Sequence, residues 1–256
     1  MIVPVQDPTP FSPFSPGEWS GSLVRVSQAG YPAVELAITD PREVSSAGLE
    51  ALLTQAELRL VATTTGQAAW KEGLSLSSPD EGVRERAITR IQEHMRLARD
   101  FGAVVIVGLL RGKSGEKGLL KQSLRACAQF DPAVRLALEP LNRYETELIN
   151  TVAEALELIE DLGQENLGIL FDTFHANIEE RSIPEGVRLA RDRLFHLHLA
   201  DSNRWTPGFG HLPFPKVWEA LEGVGYRGAL VLECLPRPEP RLMLSAAEVR
   251  GRVGLG

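Results

Sequence analysis

Three apolar runs in the sequence finish on a carboxylate: Leu136-Ala137-Leu138-Glu139, Gly168-Ile169-Leu170-Phe171-Asp172 and Leu230-Val231-Leu232-Glu233. A fourth run, Leu194-Phe195-His196-Leu197-His198-Leu199-Ala200, carries two histidines on alternate positions. In an extended strand this alternation puts both rings on one face and Phe195, Leu197 and Leu199 on the other. An acid at the end of one strand is often only a helix cap or a salt-bridge partner. Four such ends brought to one point are different, because bare carboxylates buried together are costly and a cation removes that cost. Three oxygen ligands with one imidazole suit Mn²⁺, Co²⁺ or Mg²⁺, and Zn²⁺ is compatible. The chemistry expected of Glu139, Asp172, His198 and Glu233 is therefore that of one divalent metal ion.

Bringing those ends together requires parallel strands, and the rest of the chain has the matching rhythm. Short apolar, β-branched runs predict strands at 2–5, 33–38, 58–62, 103–109, 134–139, 167–172, 194–200 and 229–235. Amphipathic stretches between them predict helices at 18–29, 43–56, 79–101, 116–129, 148–162, 184–191 and 215–224, with a short last one at 245–252. Ser78-Pro79-Asp80-Glu81 reads as a helix start, and Pro215 opens another in the same way. Gly30, Gly102, Gly163 and Gly225 follow helix ends, where a positive φ is often needed. A repeat of about 32 residues suits successive βα units. Gln6-Asp7-Pro8-Thr9-Pro10 follows the first strand in place of the glycine-rich loop of an open nucleotide-binding sheet. The expected fold is α/β, a single (β/α)₈ TIM barrel. Residues 1–256 are expected to form that one domain, with a short or atypical last helix.

Composition narrows the function classes. Of 256 residues 43% are hydrophobic and 24% charged, enough for a sizeable core, and the net charge is −7. An acidic chain argues against a nucleic-acid surface. Cys127 and Cys234 are too few for a disulfide scaffold and too far apart for a metal knuckle. No apolar run reaches the roughly 18 residues of a membrane span, and Met1-Ile2-Val3-Pro4-Val5-Gln6 does not read as a signal peptide. A cytoplasmic protein without nucleic-acid or membrane partners is expected.

The blocks Glu139-Pro140-Leu141-Asn142-Arg143-Tyr144-Glu145, Asp172-Thr173-Phe174-His175, His198-Leu199-Ala200-Asp201-Ser202-Asn203-Arg204 and Glu233-Cys234-Leu235-Pro236 resemble the signatures of the xylose-isomerase-like barrel superfamily. Within it they are most similar to ketose 3-epimerases of the D-tagatose/D-psicose type. The resemblance is densest from Leu136 to Pro236. It implies that Glu139, Asp172, His198 and Glu233 bind the metal and that Glu139 and Glu233 exchange protons with the substrate from opposite faces. It also implies that Glu145, His175 and Arg204 contact the substrate, a small sugar or sugar-like hydroxy-carbonyl compound. Removal of a proton next to a sugar carbonyl leaves a charge that a divalent cation stabilises. Returning the proton to the other face gives epimerisation, and returning it to the neighbouring carbon gives isomerisation.

Other positions carry weaker signals. His211, in the glycine-rich loop after the seventh strand, is expected to shape the mouth or to stabilise the loop. Arg111 and Lys113, after the fourth strand, are placed to meet a substrate phosphate or carboxylate, or simply to lie on the surface. Glu35 has the parity to face inward or to bury a salt bridge. His196 reads as a satisfied interior histidine, His94 as structural or surface, and Cys234 as packed outside the wall. Trp70, Trp205 and Trp218 read equally as core or as pocket wall. The family's aromatic residues after the first strand are missing, with Phe11 and Phe14 in a proline-rich segment as their candidate replacements. The short tail suggests barrel surface that a second copy would cover, so a homodimer is expected.

The rival functions are a hydroxypyruvate or inosose-type isomerase or dehydratase of the same superfamily, an endonuclease IV-like metal hydrolase, and a non-catalytic binding barrel. The hydrolase reading needs more histidines than the five present, none of which precedes His94. The binding barrel gives no reason for Glu145, His175 and Arg204 to converge on the metal quartet.

Overall fold

Each strand pairs in parallel with the next one in the chain, in the order β1-β2-β3-β4-β5-β6-β7-β8. The computed structural model describes residues 1–238 and 244–255, so Glu239 and Pro240 of the proline run lie outside the described residues. Among the described residues the elements run β1 (Ile2–Pro4), α1 (Trp19–Gln28), β2 (Ala33–Ala37), α2 (Ser46–Gln55), β3 (Arg59–Thr64), α3 (Gly66–Glu72), α4 (Glu81–Phe101), β4 (Val104–Val107), α5 (Lys117–Phe130), β5 (Leu136–Leu138), α6 (Val152–Leu162), β6 (Leu167–Asp172), α7 (Thr173–Glu179), α8 (Ile183–Ala190), β7 (Leu194–Leu199), α9 (Phe214–Gly223), β8 (Leu230–Leu232) and α10 (Ala246–Val253). This is a nearly closed (β/α)₈ barrel, as the alternation predicts.

The two-residue period of the strands divides the apolar side chains into layers. Val34, Leu36, Val105, Val107, Leu136, Leu138, Ile169 and Leu197 join the large cluster shared with the helices. Alternate positions form two small clusters, Ala62–Val104–Ile106–Ala137–Leu170 and Ile2–Ala37–Val231. The second joins residues of β1, β2 and β8, so apolar side chains bring the first and last strands together.

Two register irregularities interrupt the ladder. One lies between Val34 and Glu35 against β3, the other between Ile169 and Leu170 against β7. In the first β3 has one extra residue, Val61, and in the second β7 has one, Phe195. Such bulges bend a strand locally and re-aim its side chains. Gly168 accommodates the second, because a Cβ there would lie 2.5 Å from the Phe195 ring.

The helix starts differ from expectation in instructive ways. Asp80, rather than Ser78, caps α4 by accepting from the Val83 N–H. Thr151 and Glu154 form a capping box, so α6 begins at Val152 and leaves residues 139–150 as a loop over the barrel mouth. Gly102 and Gly163 end α4 and α6 at φ of +62°, as their positions predict. α3 and α7 are additional short helices. The last helix, α10, is short as expected and starts on a Ser245–Glu248 capping box, a motif whose cap alone contributes about 1 kcal/mol. Ala246 N–H donates to Ala29, and Trp218 Nε1 donates to the Val253 carbonyl at 2.7 Å, which docks α10 onto the barrel. Trp218 is therefore core. No helix among the described residues is long and apolar enough to cross a membrane.

Candidate active site

Glu139 follows β5, Asp172 ends β6, His198 lies in β7 and Glu233 follows β8. One ligand atom from each lies within 4.8 Å of the other three. From His198 Nδ1 the distances are 3.2 Å to Glu233 Oε2, 3.8 Å to Glu139 Oε1 and 3.9 Å to Asp172 Oδ2. Asp172 divides its two oxygens: Oδ1 accepts from the Phe174 and His175 N–H groups and caps α7, while Oδ2 faces the cluster. Glu139 Oε1, Asp172 Oδ2 and His198 Nδ1 are all buried without a hydrogen-bond partner. Buried polar atoms in native proteins are nearly always satisfied. Three orphaned ligand atoms converging on one point therefore fit a divalent cation in number, type and spacing.

The electrostatics agree. Burial, then the neighbouring Glu233, pushes the Glu139 carboxyl well above the usual range. The same two causes push Asp172 up to about 7. Burial alone would lower His198, but Glu35 and Glu233 outweigh it and raise the imidazole well above its ordinary value. In each case proximity to like charge, or to a proton that neutralises it, expresses the same demand for positive charge.

His198 is held from behind. Its Nε2 lies 3.1 Å from Glu35 Oε2, and His196 Nε2 reaches that same oxygen at 2.8 Å. Burial would raise the Glu35 carboxyl, yet the two imidazoles hold it well below the usual range. Glu35 thus faces inward and His196 is a satisfied interior histidine.

Beside the cluster lies a cavity of about 290 Å³, open at the barrel mouth and lined in part by Glu139, Glu145, His175, Arg204 and Glu233. Arg204 Nη1 donates to Glu145 Oε1 at 2.5 Å. Its guanidinium lies between two aromatic rings, 4.0 Å from the Phe11 centroid and 4.8 Å from that of Phe174. The Arg204 backbone takes φ of +60°, a left-handed conformation that costs a non-glycine residue energy and fixes the side chain's departure. Arg204 Nε is buried without a partner.

The tautomer of His175 follows from its neighbours. Asn142 donates to His175 Nδ1 through its backbone N–H at 3.2 Å and its side-chain amide at 2.8 Å. Nδ1 is therefore the acceptor and Nε2 carries the proton. Burial and the adjacent Arg204 keep the ring well below its ordinary pKa, hence neutral. The 3.5 Å approach of Arg204 Nη2 to His175 Nε2 sets donor against donor and is not a hydrogen bond. Nε2–H is 3.8 Å from Glu139 Oε1, beyond hydrogen-bond reach, and His175 lines the cavity.

One expected contact needs correction, and the reading of His211 resolves to its loop-stabilising alternative. Arg111 does not meet a substrate anion: it is fully buried and is absent from the residues lining the cavity. Its Nε donates to Gly108 O at 3.1 Å and its Nη1 to Leu148 O and Ile149 O at 3.2 and 3.0 Å. It ties the loop after β4 to the loop before α6. His211 is exposed and bonds Ser202 Oγ at 2.9 Å, which makes it a loop contact away from the cavity. That loop is organised by Asp201, which accepts from the Ser202, Gly208 and Leu212 N–H groups.

Of the aromatic candidates Phe11 reaches the cavity, while Phe14 is buried with Arg25 over its ring. Trp70 lines the mouth and is 85% exposed. The proline-rich segment is anchored by Ser12 Oγ donating to Ile2 O, and by Gln6 and Asp7 bonding Thr39. His94 is structural, with Nδ1 3.2 Å from Thr63 Oγ1, and burial pushes its pKa down to about 3. Asn142 and Gly108 escaped the sequence reading as site residues. Asn142 stands inside the quoted Glu139–Glu145 block, but its partner is 33 positions away.

The family model described as xylose isomerase-like TIM barrel matches residues 23–250. The chain is 30% identical over 233 residues to the D-psicose 3-epimerase of Agrobacterium fabrum, covering 84% of this chain and 80% of that protein. It is 31% identical over 227 residues to the L-ribulose 3-epimerase of Mesorhizobium japonicum, covering 84% and 75%. The solved D-psicose 3-epimerase from Clostridium cellulolyticum H10 with D-tagatose superimposes with a TM-score of 0.79 at 26% identity, covering 96% of this chain and 88% of that one.

Proposed function

The chain belongs to the xylose isomerase-like TIM barrel family, and from that premise we propose that it is a metal-dependent epimerase of free, unphosphorylated ketoses, acting on the carbon beside the carbonyl. The observation that carries this reading is the pair Glu139 and Glu233. They reach one cavity from strands three apart in the barrel, and both face His198 Nδ1.

In this reading Glu139, Asp172, His198 and Glu233 hold one divalent ion, Mn²⁺ in the first instance, with Co²⁺, Mg²⁺ or Zn²⁺ as alternatives. The ion supplies positive charge that stabilises negative charge developing on the sugar oxygens. One glutamate takes the proton from the reacting carbon and the other delivers a proton to the opposite face, with the roles exchanged in the reverse direction. His175 donates Nε2–H to a substrate oxygen. Arg204, with the rings of Phe11 and Phe174 against its guanidinium, offers its free Nε–H to another, and Glu145 accepts from a hydroxyl.

Charge supports a substrate without phosphate. Even with a divalent ion bound, the carboxylates of Glu139, Glu145, Asp172 and Glu233 exceed the positive charge of that ion and Arg204, which is already paired with Glu145, and Arg111 is spent on carbonyls. The same charge balance disfavours a small carboxylate such as hydroxypyruvate. A nucleic-acid partner finds no support in it either. We further propose that residues 1–256 act as one barrel domain in the cytoplasm, which two buried free thiols support, and that two copies associate, to be checked by light scattering.

The test is product analysis. Protein loaded with Mn²⁺ or Co²⁺ and incubated with free ketohexoses and ketopentoses should yield 3-epimers by chromatography. Conversion of ketose phosphates in preference to free ketoses, or of neither, overturns the proposal.

A further inference from the structure

Behind the four ligand atoms lies a second cluster made of Glu35 from β2 with His196 and His198 from β7. All three side chains are essentially sealed from solvent, at 0%, 1% and 0% exposure. One oxygen, Glu35 Oε2, takes both contacts, 2.8 Å from His196 Nε2 and 3.1 Å from His198 Nε2. A carboxylate oxygen sharing two imidazole nitrogens can only accept, so both Nε2 atoms carry protons. In the neutral ring, the form that can ligate, the lone pair of His198 then stands on Nδ1, the atom that faces Glu139, Asp172 and Glu233. Were the proton on Nδ1 instead, His198 would present a donor to the ion and lose its bond to Glu35.

The barrel is shaped for this contact. Its two register irregularities fall beside Glu35 and beside His196, the two residues that must approach each other across the interior. Of the described residues, these are the places where β2 and β7 depart from regular pairing.

Resting on the metal-site reading above, we infer that Glu35 is a positioning residue for the metal centre, with His196 as its brace. Glu35 selects the Nδ1-ligating tautomer and the ring orientation of His198, and His196 fixes the carboxylate by occupying the same oxygen. Partners of this kind behind a ligating histidine commonly change metal affinity by roughly 10–100-fold. This role goes beyond binding and proton transfer, because neither Glu35 nor His196 lines the substrate cavity.

The test uses Glu35→Gln and His196→Asn, each shown folded by circular dichroism, and has two readouts that do not depend on turnover. The first is Mn²⁺ affinity, followed by electron paramagnetic resonance of the free ion. We expect a loss of about 10–100-fold in Glu35→Gln and a smaller loss in His196→Asn. The second is the tautomer of His198 in metal-free protein, read from long-range ¹H–¹⁵N correlations on the alkaline side of its titration, where the ring is neutral. Wild type should show His198 protonated on Nε2, and Glu35→Gln should show that signal shifted or split. Wild-type Mn²⁺ affinity and an unchanged tautomer in folded Glu35→Gln overturn the inference while sparing the metal centre. If Glu35→Gln does not fold, wild-type affinity in His196→Asn overturns the bracing role, and an Nδ1–H tautomer of His198 in wild type overturns the selection. Two metal ions per chain, one lost in His196→Asn, would make the second cluster a metal site and overturn it too. Wild type that binds no stoichiometric metal removes the metal-site reading and the inference together.

Discussion

Glu139 Oε2 occupies the space that a side chain at position 108 would need: a Cβ built on Gly108 would lie 2.7 Å from it. The strand after which Gly108 falls is the neighbour of the strand that Glu139 follows, so the missing side chain on one sets the carboxylate's position on the other. Gly108 has φ of −93°, so alanine is excluded by the clash rather than by the left-handed region. Gly108→Ala should therefore displace Glu139 and lower kcat/KM by roughly tenfold or more, the scale expected when a reacting group moves by about an ångström. Kinetics beside a melting curve checks this: Tm should fall little. Wild-type kcat/KM in the variant contradicts it.

Metal binding should strengthen with pH. Asp172, at about 7 in the metal-free fold, and Glu139, also raised, keep protons that the unfolded chain has already lost. The stability they give the metal-free protein is full below about pH 4 and disappears as pH rises through about 7. His198, raised as well, acts with the same sign. An ion must displace these protons, so the metal-induced rise in Tm should be larger at pH 8 than at pH 5.5. Calorimetry at pH 6 in buffers of different ionisation enthalpy should show proton release on binding. A rise in Tm that is larger at pH 5.5 refutes this account.

Arg111 should prove structural. Removing the guanidinium takes the donor from the buried Leu148 and Ile149 carbonyls, while Gly108 O keeps the Arg111 backbone N–H, at a cost of about 2 kcal/mol or more. Arg111→Met should lower Tm by several degrees, and the preference for free over phosphorylated ketose should stay as in wild type. Unchanged Tm with a changed preference would return Arg111 to the substrate.

Phe11 should act through Arg204. The ring is 4.0 Å from the guanidinium, and a partly desolvated contact of this kind contributes about 1–2 kcal/mol. Phe11→Leu keeps the apolar wall but removes the π face, so kcat/KM should fall roughly tenfold. In Arg204→Lys, which cannot stack its charge in the same way, the same Phe11 change should cost little. Additive losses in the double variant contradict the coupling.

Much of this arrangement is legible in the sequence, and the parts that are not have physical reasons. Strands of a parallel barrel are apolar on both faces, so their runs stand out, and the sixth was placed at its observed bounds, Leu167–Asp172. The short α7 was missed because Asp172 is at once the end of β6 and the cap of the helix, leaving no turn to mark the boundary. α3 was missed because Thr65 makes no side-chain cap bond and Gly66 reads as a loop. The parity of Glu35 allows it to face inward or to bury a salt bridge, but its histidine partners are over 160 residues away in sequence. The structural role of Arg111 is not legible because its acceptors Leu148 and Ile149 come from another loop, and a charged loop at the active face reads as an anion grip or as plain surface.

The central claim is that Glu139 and Glu233 move a carbon-bound proton in a metal-dependent site. The direct measurement is NMR of a ketose in D₂O with metal-stripped protein, before and after reloading with Mn²⁺ or Co²⁺. The predicted result is deuterium entering at the carbon next to the carbonyl after reloading, and lost in both Glu139→Gln and Glu233→Gln. Exchange that persists in both variants, or no exchange across free ketoses by wild type carrying stoichiometric metal, would contradict it.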